Sequence, residues 1–153
     1  RLIVTDINQD AVSRAVAQFG ATAVGLDEIY SQTCDIYAPC ALGATINDQT
    51  IEQFKCQIIA GCANNQLKEQ RHGVILREKG ILYAPDYVIN AGGIINVYLD
   101  MRAEGYNADE STAKVLEIYD TLLNIFQRAD AQGKPTNEVA DLMAQEIIER
   151  GGK

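Results

Sequence analysis

Residues 2–20 of the chain, LIVTDINQDAVSRAVAQFG, contain a short apolar run followed by a helical pattern. The run at 2–5 has no polar alternation, which is typical of a strand buried on both faces of a parallel sheet. From Asp10 onward, apolar residues recur at helical spacing until Gly20, a residue that favours a helix end. The stretch therefore predicts a strand followed by a crossover helix.

The alternation of short apolar runs with longer connections continues through the first half of the chain. Further runs predict strands at residues 21–24, 35–38, 57–60 and 81–83. Short strands joined by such connections are typical of an α/β fold with a parallel sheet, because parallel strands need a crossover.

The second half of the chain has a helical pattern. Residues 87–101 are mostly apolar and carry the pair Gly92-Gly93, which we place near the start of a helix. Two amphipathic helices follow, and Gly133 and Pro135 separate them. We therefore expect C-terminal helices to follow the sheet.

The composition is that of a globular protein. The chain has 153 residues, of which 47% are hydrophobic and 22% charged, enough to bury about two-thirds of its surface in one core. We expect one domain over 1–153, with a sheet core at about 1–86, a helical segment at about 87–150 and a frayed end at 151–153.

The charge and the hydropathy of the chain disfavour some classes of partner. The net charge of −8 would repel phosphates, which disfavours an exposed surface for nucleic acid or for an anionic membrane. No apolar run approaches the roughly 20 residues that cross a bilayer, and the start at Arg1 shows no signal-peptide pattern. We expect a cytoplasmic protein.

The cysteines and the histidine give no metal or nucleophile motif. Cys34, Cys40, Cys56 and Cys62 are too widely spaced for the paired ligands of a structural zinc site, and we interpret them as small core residues. The only histidine, His72, has no serine or cysteine nearby in a nucleophile context, which favours a structural or surface role.

Asp6 follows the first predicted strand. In a dinucleotide-binding fold, a carboxylate at this point accepts hydrogen bonds from the adenosine ribose, and it would repel a 2′-phosphate. The next residues, Ile7-Asn8-Gln9, contain no compensating cation, so the pattern favours NAD over NADP. The alternative is that Asp6 only opens the turn before the helix.

Two loops rich in small residues follow later strands. Residues 38–43 read APCALG and residues 61–66 read GCANNQ. Small side chains let a backbone approach a flat cofactor, and an asparagine amide offers a donor and an acceptor to a carboxamide. The alternative is that both are ordinary turns.

The pair Gly92-Gly93 lies inside an otherwise apolar segment. Each glycine costs a helix on the order of 1 kcal/mol, which favours a close backbone approach or a special dihedral angle there. Ile94 and Val97, three residues apart, would share one helix face and could line an apolar pocket. The alternative is a plain helix-entry turn.

Four separated strings in order resemble the glutamate, leucine, phenylalanine and valine dehydrogenase family, most closely its leucine dehydrogenase branch. They are LIVTDIN at 2–8, APCALG at 38–43, NQLKE at 65–69 and YAPDYVINAGG at 83–93. The resemblance implies a Rossmann-type parallel sheet with NAD as cofactor. It also implies that the N-terminal strand and glycine-rich loop G-x-G-x-x-G of this sheet lie outside the chain.

The resemblance also implies the site residues. Those expected at the cofactor are Asp6, Ile7, Cys40, Ala41, Leu42, Ala63, Asn65 and Asn90. Those expected at the substrate are Asn65, Ile94, Ile95, Val97 and Tyr98. An apolar pocket of this kind selects apolar amino acids by burial, and the motif offers no charge to hold a glutamate side chain.

The chain departs from the leucine dehydrogenase pattern at Tyr98, where an aromatic residue resembles the tryptophan dehydrogenase branch. The substrate is therefore either branched-chain or aromatic, or Tyr98 simply packs against a neighbouring helix. The catalytic lysine and aspartate of the family are expected in a substrate domain outside this chain. We do not assign their roles to Lys55, Lys68 or Lys79.

The resemblance implies oxidation of an apolar L-amino acid (leucine, valine, phenylalanine or tryptophan) to its 2-oxo acid and ammonia, with NAD as hydride acceptor. It also implies a homo-oligomer. One alternative is a non-catalytic dinucleotide-binding or interaction module derived from such an enzyme. An NADP-linked glutamate enzyme is disfavoured by Asp6.

Overall fold

The structure is a computed structural model that describes residues 1–103 and 105–151. Five short strands occupy the predicted runs and confirm them. They are β1 (Ile3–Val4), β2 (Thr22–Ala23), β3 (Ile36–Tyr37), β4 (Ile58–Ile59) and β5 (Leu82–Tyr83). Of the expected frayed end, Gly152 and Lys153 lie outside the described residues.

Every strand pair is parallel, as predicted, but the described strands form two sheets. In one sheet β1 pairs with β2, and Ile3 lies opposite Thr22. In the other the order is β3-β4-β5, and Ile58 lies between Ile36 and Leu82. Within the described residues, no strand is hydrogen-bonded to both β1 and β3, so the pairing is interrupted between them.

Helices lie where the sequence predicted them, after Asp10, near Gly92-Gly93 and on both sides of Gly133 and Pro135, and three further short helices were not placed from the sequence. The helices are α1 (Gln9–Phe19), a 3₁₀ helix (Glu28–Ser31), α2 (Arg71–Glu78), α3 (Asp86–Ile89), α4 (Gly92–Asp100), α5 (Ala108–Gln132) and α6 (Thr136–Glu149). Asn8 caps α1, because its Oδ1 accepts the backbone N–H groups of Asp10 and Ala11 at 3.1 Å each. Gly20 and Gly133 end α1 and α5 in the left-handed conformation that glycine adopts without steric cost.

Two apolar clusters hold these elements together. The first lies under the three-stranded sheet and includes Ile46, Ile59, Leu76 and Tyr83. The second joins α5 to α6, with Ile125, Ala129, Val139 and Ala140 at its centre. Burial of this apolar surface is the main force that fixes α2 and α6 against the rest of the chain.

Among the described residues, no helix combines the length and the apolar character that crossing a membrane requires.

Candidate functional site

The loops that follow β3 and β4 pack against each other through their backbones. Ala63 N donates to Pro39 O at 2.9 Å, and Ala44 N donates to Asn65 O at 2.7 Å. A Cβ added to Gly61 would lie 2.5 Å from Pro39 N and would overlap Pro39 O. Only glycine therefore lets these loops come together. The two loops, residues 38–44 and 61–66, form one continuous surface, which we call the floor.

Strained backbone lies in the same floor. Asn65 and Ala44 both have positive φ, at 53° and 57°, which a side chain disfavours sterically. The hydrogen bond between Ala44 N and Asn65 O joins the two residues and helps to hold them in this conformation. Such strain recurs at ligand-binding sites, where the surrounding structure over-determines it.

The side chain of Gln66 holds the loop after β4 in its conformation. Its side chain is fully buried, and its Nε2 donates to Gly61 O at 2.8 Å and to Ala63 O at 2.9 Å. Its backbone N–H donates to Asp86 Oδ2 at 2.9 Å, at the start of α3. The sequence analysis missed this role of Gln66 and Asp86, because the partners lie 20 residues apart.

Asp86 also holds Tyr83, the last residue of β5. The Tyr83 hydroxyl donates to Asp86 Oδ2 at 2.8 Å. Burial raises the pKa of Tyr83, and the hydrogen bond to Asp86 raises it further. The phenol therefore stays protonated and remains a donor to Asp86. This bond fixes the start of α3 beside the loop that contains Gln66.

A cavity of about 570 Å³ opens between this floor and the start of α4. Asn90 spans one side of it, because its Nδ2 donates to Asn64 Oδ1 at 2.6 Å and to Cys62 O at 3.2 Å. Ile94 is 68% exposed at its rim. The cavity is lined by Cys62, Asn64, Ile89, Asn90, Gly92, Gly93, Ile94, Val115 and Ile118.

The predicted substrate residues are only partly brought together. Ile94 lines the large cavity, whereas Ile95 lines a second cavity of about 340 Å³ on another side of α4. Val97 and Tyr98 are 51% and 65% exposed and line neither of these two cavities. Within the described residues, the predicted substrate side chains on α4 therefore do not all face the same cavity.

Apart from Asn90, which lies at the end of α3, the predicted cofactor residues lie after the ends of strands. Asp6 and Ile7 follow β1 and are exposed, and Cys40, Ala41 and Leu42 are exposed on the loop after β3. Ala63 is buried, and Asn65 is exposed but does not line the large cavity. Its neighbour Asn64 lines the cavity instead, and sequence spacing alone gave no signal to distinguish the two amides.

Two of the four cysteines are not core residues, contrary to the prediction. Cys56 is buried and Cys34 packs beside it in the first apolar cluster. Cys40 and Cys62 are exposed at the floor, because they lie beyond the ends of β3 and β4, where the sheet no longer covers the chain.

His72 has a structural position, as the sequence indicated. The imidazole is fully buried, and Glu69 N donates to its Nδ1 at 3.0 Å while its Nε2 lies 3.1 Å from Asp48 Oδ1. Asp48, Glu69 and His72 offer three potential metal ligands close together. However, the Arg71 guanidinium already bridges the two carboxylates, at 2.7 Å from Asp48 and 2.9 Å from Glu69, so the cluster is charge-compensated.

Comparison with known proteins identifies the family. The model of the Glutamate/Leucine/Phenylalanine/Valine dehydrogenase family matches residues 4–149. The chain belongs to this dehydrogenase family. The match covers every strand except the first residue of β1, and both loops of the floor, so the resemblance drawn from four short strings is confirmed over nearly the whole chain.

Relatives within the dehydrogenase family differ in the amino acid that they are named for. The chain is 58% identical over 149 residues to leucine dehydrogenase of Thermoactinomyces intermedius and 50% identical over 149 residues to L-tryptophan dehydrogenase of Nostoc punctiforme. These alignments cover 97% of the chain but only 40% and 42% of the relatives. The chain thus spans about two-fifths of the length of such dehydrogenases.

Solved structures of dehydrogenases are similar to the structure of the chain. The crystal structure of L-tryptophan dehydrogenase from Nostoc punctiforme superposes with a TM-score of 0.93 at 48% identity, covering 98% of this chain and 44% of that one. A hetero-hexameric glutamate dehydrogenase from Thermus thermophilus gives a TM-score of 0.70 at 18% identity, covering 94% of this chain and 36% of that one, which shows the shared fold alone.

Proposed function

We propose that the protein carrying this chain is an NAD-dependent dehydrogenase that oxidises an apolar L-amino acid to its 2-oxo acid and ammonia. In this proposal the chain supplies the Rossmann-type cofactor-binding part, over residues 1–153. The catalytic lysine and aspartate lie in another part of the protein.

The interrupted sheet supports the Rossmann-type assignment. The strand order is β2-β1 in one sheet and β3-β4-β5 in the other, all parallel. One further parallel strand between β1 and β3 would give the order of a doubly wound dinucleotide-binding sheet, 3-2-1-4-5-6. In that fold the glycine-rich loop follows this central strand, so the proposal locates the pyrophosphate site at the interruption.

The observation that carries the proposal is the cavity at the carboxyl ends of β4 and β5. Parallel α/β sheets bind ligands at this edge. The cavity combines the amides of Asn64 and Asn90 with the apolar side chains of Ile89 and Ile94. The amides suit the carboxamide of nicotinamide, and the apolar wall suits the side chain of leucine, phenylalanine or tryptophan.

The described residues fit NAD. Gly93 lines the cavity, and no atom lies within 4 Å of a Cβ added there, so a flat ring can approach this backbone closely. Asp6 is exposed at the end of β1, and Ile7, Asn8 and Gln9 bring no cation for a 2′-phosphate. The cofactor would supply hydride acceptance, and the protein's task is to hold the substrate Cα against it and exclude water.

The test is NADH formation by the full-length protein at alkaline pH, comparing leucine, valine, phenylalanine, tryptophan and glutamate. Turnover of an apolar amino acid with NAD is expected. Absence of turnover with all five would overturn the assignment and favour a non-catalytic dinucleotide-binding module.

A pair of variants on α4 tests the pocket. Ile94→Ala is expected to raise KM for the apolar amino acid about tenfold, because Ile94 lines the cavity and one or two lost methylene contacts are worth this much. Val97→Ala removes a similar side chain that does not line it. An equal or larger effect of Val97→Ala would show that the pocket lies on the other part of α4.

The cytoplasmic location expected from the hydropathy of the sequence, and the homo-oligomer implied by the resemblance, belong to the same proposal. Sedimentation of the full-length protein tests the oligomer, and a monomer would contradict it.

A further inference from the structure

Cys40 and Cys62 are two exposed thiols to which the proposed reaction assigns no chemical step. Cys40 follows β3 and Cys62 follows β4, and the structure contains both as free cysteines. Cys62 also lines the large cavity. The pair therefore lies at the floor of the site and not in a surface region remote from it.

Contact between the two loops brings the residues together. Tyr37 lies opposite Ile59 in the parallel register, and beyond the strands Gly61 packs against Pro39, where an added Cβ would lie 2.5 Å from Pro39 N. Cys40 directly follows Pro39, and Cys62 directly follows Gly61. The two cysteines are therefore neighbours across the contact between the loops, where a disulfide, which spans about 4.4–6.8 Å between Cα atoms, can join them.

The two side chains also influence each other. The neighbouring Cys40 side chain is the largest cause that raises the pKa of the Cys62 thiol.

The other two cysteines provide an internal comparison. Cys56 is buried, and burial raises the pKa of its thiol to about 11. Burial likewise raises the pKa of Cys34, which packs against the same apolar cluster. A thiol that an apolar cluster covers reacts slowly with oxidants, so these two residues are structural.

We propose that Cys40 and Cys62 are a redox modification site, which a hydroperoxide converts into an intramolecular disulfide. In a reducing compartment such a disulfide is transient, and thiols reverse it.

The chemistry balances in two steps. The Cys40 thiol releases its proton and its sulfur attacks one oxygen of the hydroperoxide, which breaks the O–O bond; the leaving hydroxide takes up that proton, so the products are a sulfenic acid and, for hydrogen peroxide, water. The Cys62 thiolate then attacks Cys40 Sγ, the S–O bond breaks, and hydroxide leaves with the Cys62 proton as a second water. The two sulfurs lose two electrons and the peroxide gains them.

The consequence for activity rests on the proposed function. The disulfide would lock the loops after β3 and β4 and remove the Cys62 thiol from the cavity wall, where nicotinamide is proposed to lie. Oxidation is therefore expected to reduce NAD-dependent turnover, and dithiothreitol to restore it.

The experiment treats the full-length protein with hydrogen peroxide, blocks remaining thiols and maps peptides by mass spectrometry. The expected product joins the Cys40 and Cys62 peptides, lighter by two hydrogen atoms, and dithiothreitol separates them. Cys34→Ser is the matched control and should still form the link. In Cys62→Ser a sulfenic acid should accumulate on Cys40 and react with dimedone.

Two results would overturn the proposal: no Cys40–Cys62 peptide after oxidation, or a Cys34–Cys56 link that forms as readily. The link is detected by mass whether or not the protein turns over an amino acid. Failure of the proposed enzymatic function would remove only the activity change, so the two failures are distinguishable.

Discussion

Asp6 shows how one side chain serves the local turn and remains available to a ligand. Its Oδ1 accepts the backbone N–H of Asn8 at 2.8 Å, and Asn8 in turn caps α1. The turn that the sequence offered as an alternative to a cofactor role is therefore present. A carboxylate has two oxygens and can accept several hydrogen bonds, so the turn does not exclude a bond to ribose.

Asp6→Ala is expected to raise KM for NAD at least about tenfold, because a hydrogen bond to a charged group is worth about 1.5–3 kcal/mol. The KM for NADP should change less, since the repulsion of the 2′-phosphate is lost together with the ribose bond. Steady-state kinetics of the full-length protein with both cofactors measures this. Asp10→Ala removes the same charge from the first turn of α1 and is the control; equal effects of both variants would contradict a specific role.

Asp48 is a second residue whose neighbours set its chemistry. The Arg71 guanidinium, and after it His72, lower the pKa of Asp48 from 3.8 to about 2. The folded pKa lies below the ordinary value, so ionised Asp48 stabilises the fold above about pH 4. That contribution is lost as the pH falls towards 2.

Asp48→Asn is expected to lower the unfolding midpoint near neutral pH, and the difference from the unmodified protein should shrink between pH 4 and pH 2. Thermal unfolding at a series of pH values measures it. Glu52→Gln changes an exposed partner of Lys79 in the same region and is the control. A difference that is constant with pH would contradict the role of the Asp48 charge.

At the scale of elements, the loops after β3 and β4 depend on backbone contact. Gly61 lies against Pro39, and Gly43 lies against the next loop, where an added Cβ would be 2.7 Å from Asn64 O. Backbone atoms cannot move aside as a flexible side chain can. The floor therefore tolerates no side chain at these two positions without displacement of a strand end.

Gly61→Ala is expected to destabilise the protein by about 1–3 kcal/mol and to impair NAD binding, because the new methyl group forces the two loops apart. Urea unfolding and cofactor titration measure the two effects. Gly93→Ala is the control for stability: its Cβ meets no atom within 4 Å, and alanine favours the helix. Equal stability of both variants would show that the loops can separate without cost.

At the scale of the whole molecule, α6 connects the helical segment to the sheet. Thr136 Oγ1 donates to Tyr83 O at 2.6 Å, and Asn137 Nδ2 donates to Gln70 Oε1 at 2.7 Å. Tyr87 donates to Asp141 Oδ1 at 2.5 Å from the start of the helical segment. The last helix therefore supports β5, and through β5 the edge on which the cavity lies.

Asn137→Ala is expected to destabilise the protein by about 1–3 kcal/mol, because Asn137 is buried and its loss leaves Gln70 without this partner. Denaturant unfolding measures the change. Gln145→Ala lies on the exposed part of α6 and should change stability by less than about 0.5 kcal/mol. A neutral Asn137→Ala would show that α6 is held by its apolar contacts alone.

The sequence by itself determined the five strands, the helices α1, α4, α5 and α6, and the family. Apolar runs of strand length predicted all five strands, and the periods of α1, α5 and α6 were readable because neighbours along a helix or strand share one local geometry. Four strings of sequence were enough to indicate the family, because their order along the chain is itself information.

Only the tertiary structure decided which side chains meet. It paired Asn90 with Asn64, placed Ile94 and Ile95 on different cavities, and joined Gln66 to Asp86. It also exposed Cys40 and Cys62, which the sequence had assigned to the core. These outcomes depend on the register of strands 20 or more residues apart and on how far each strand end is covered, and a local pattern contains neither quantity.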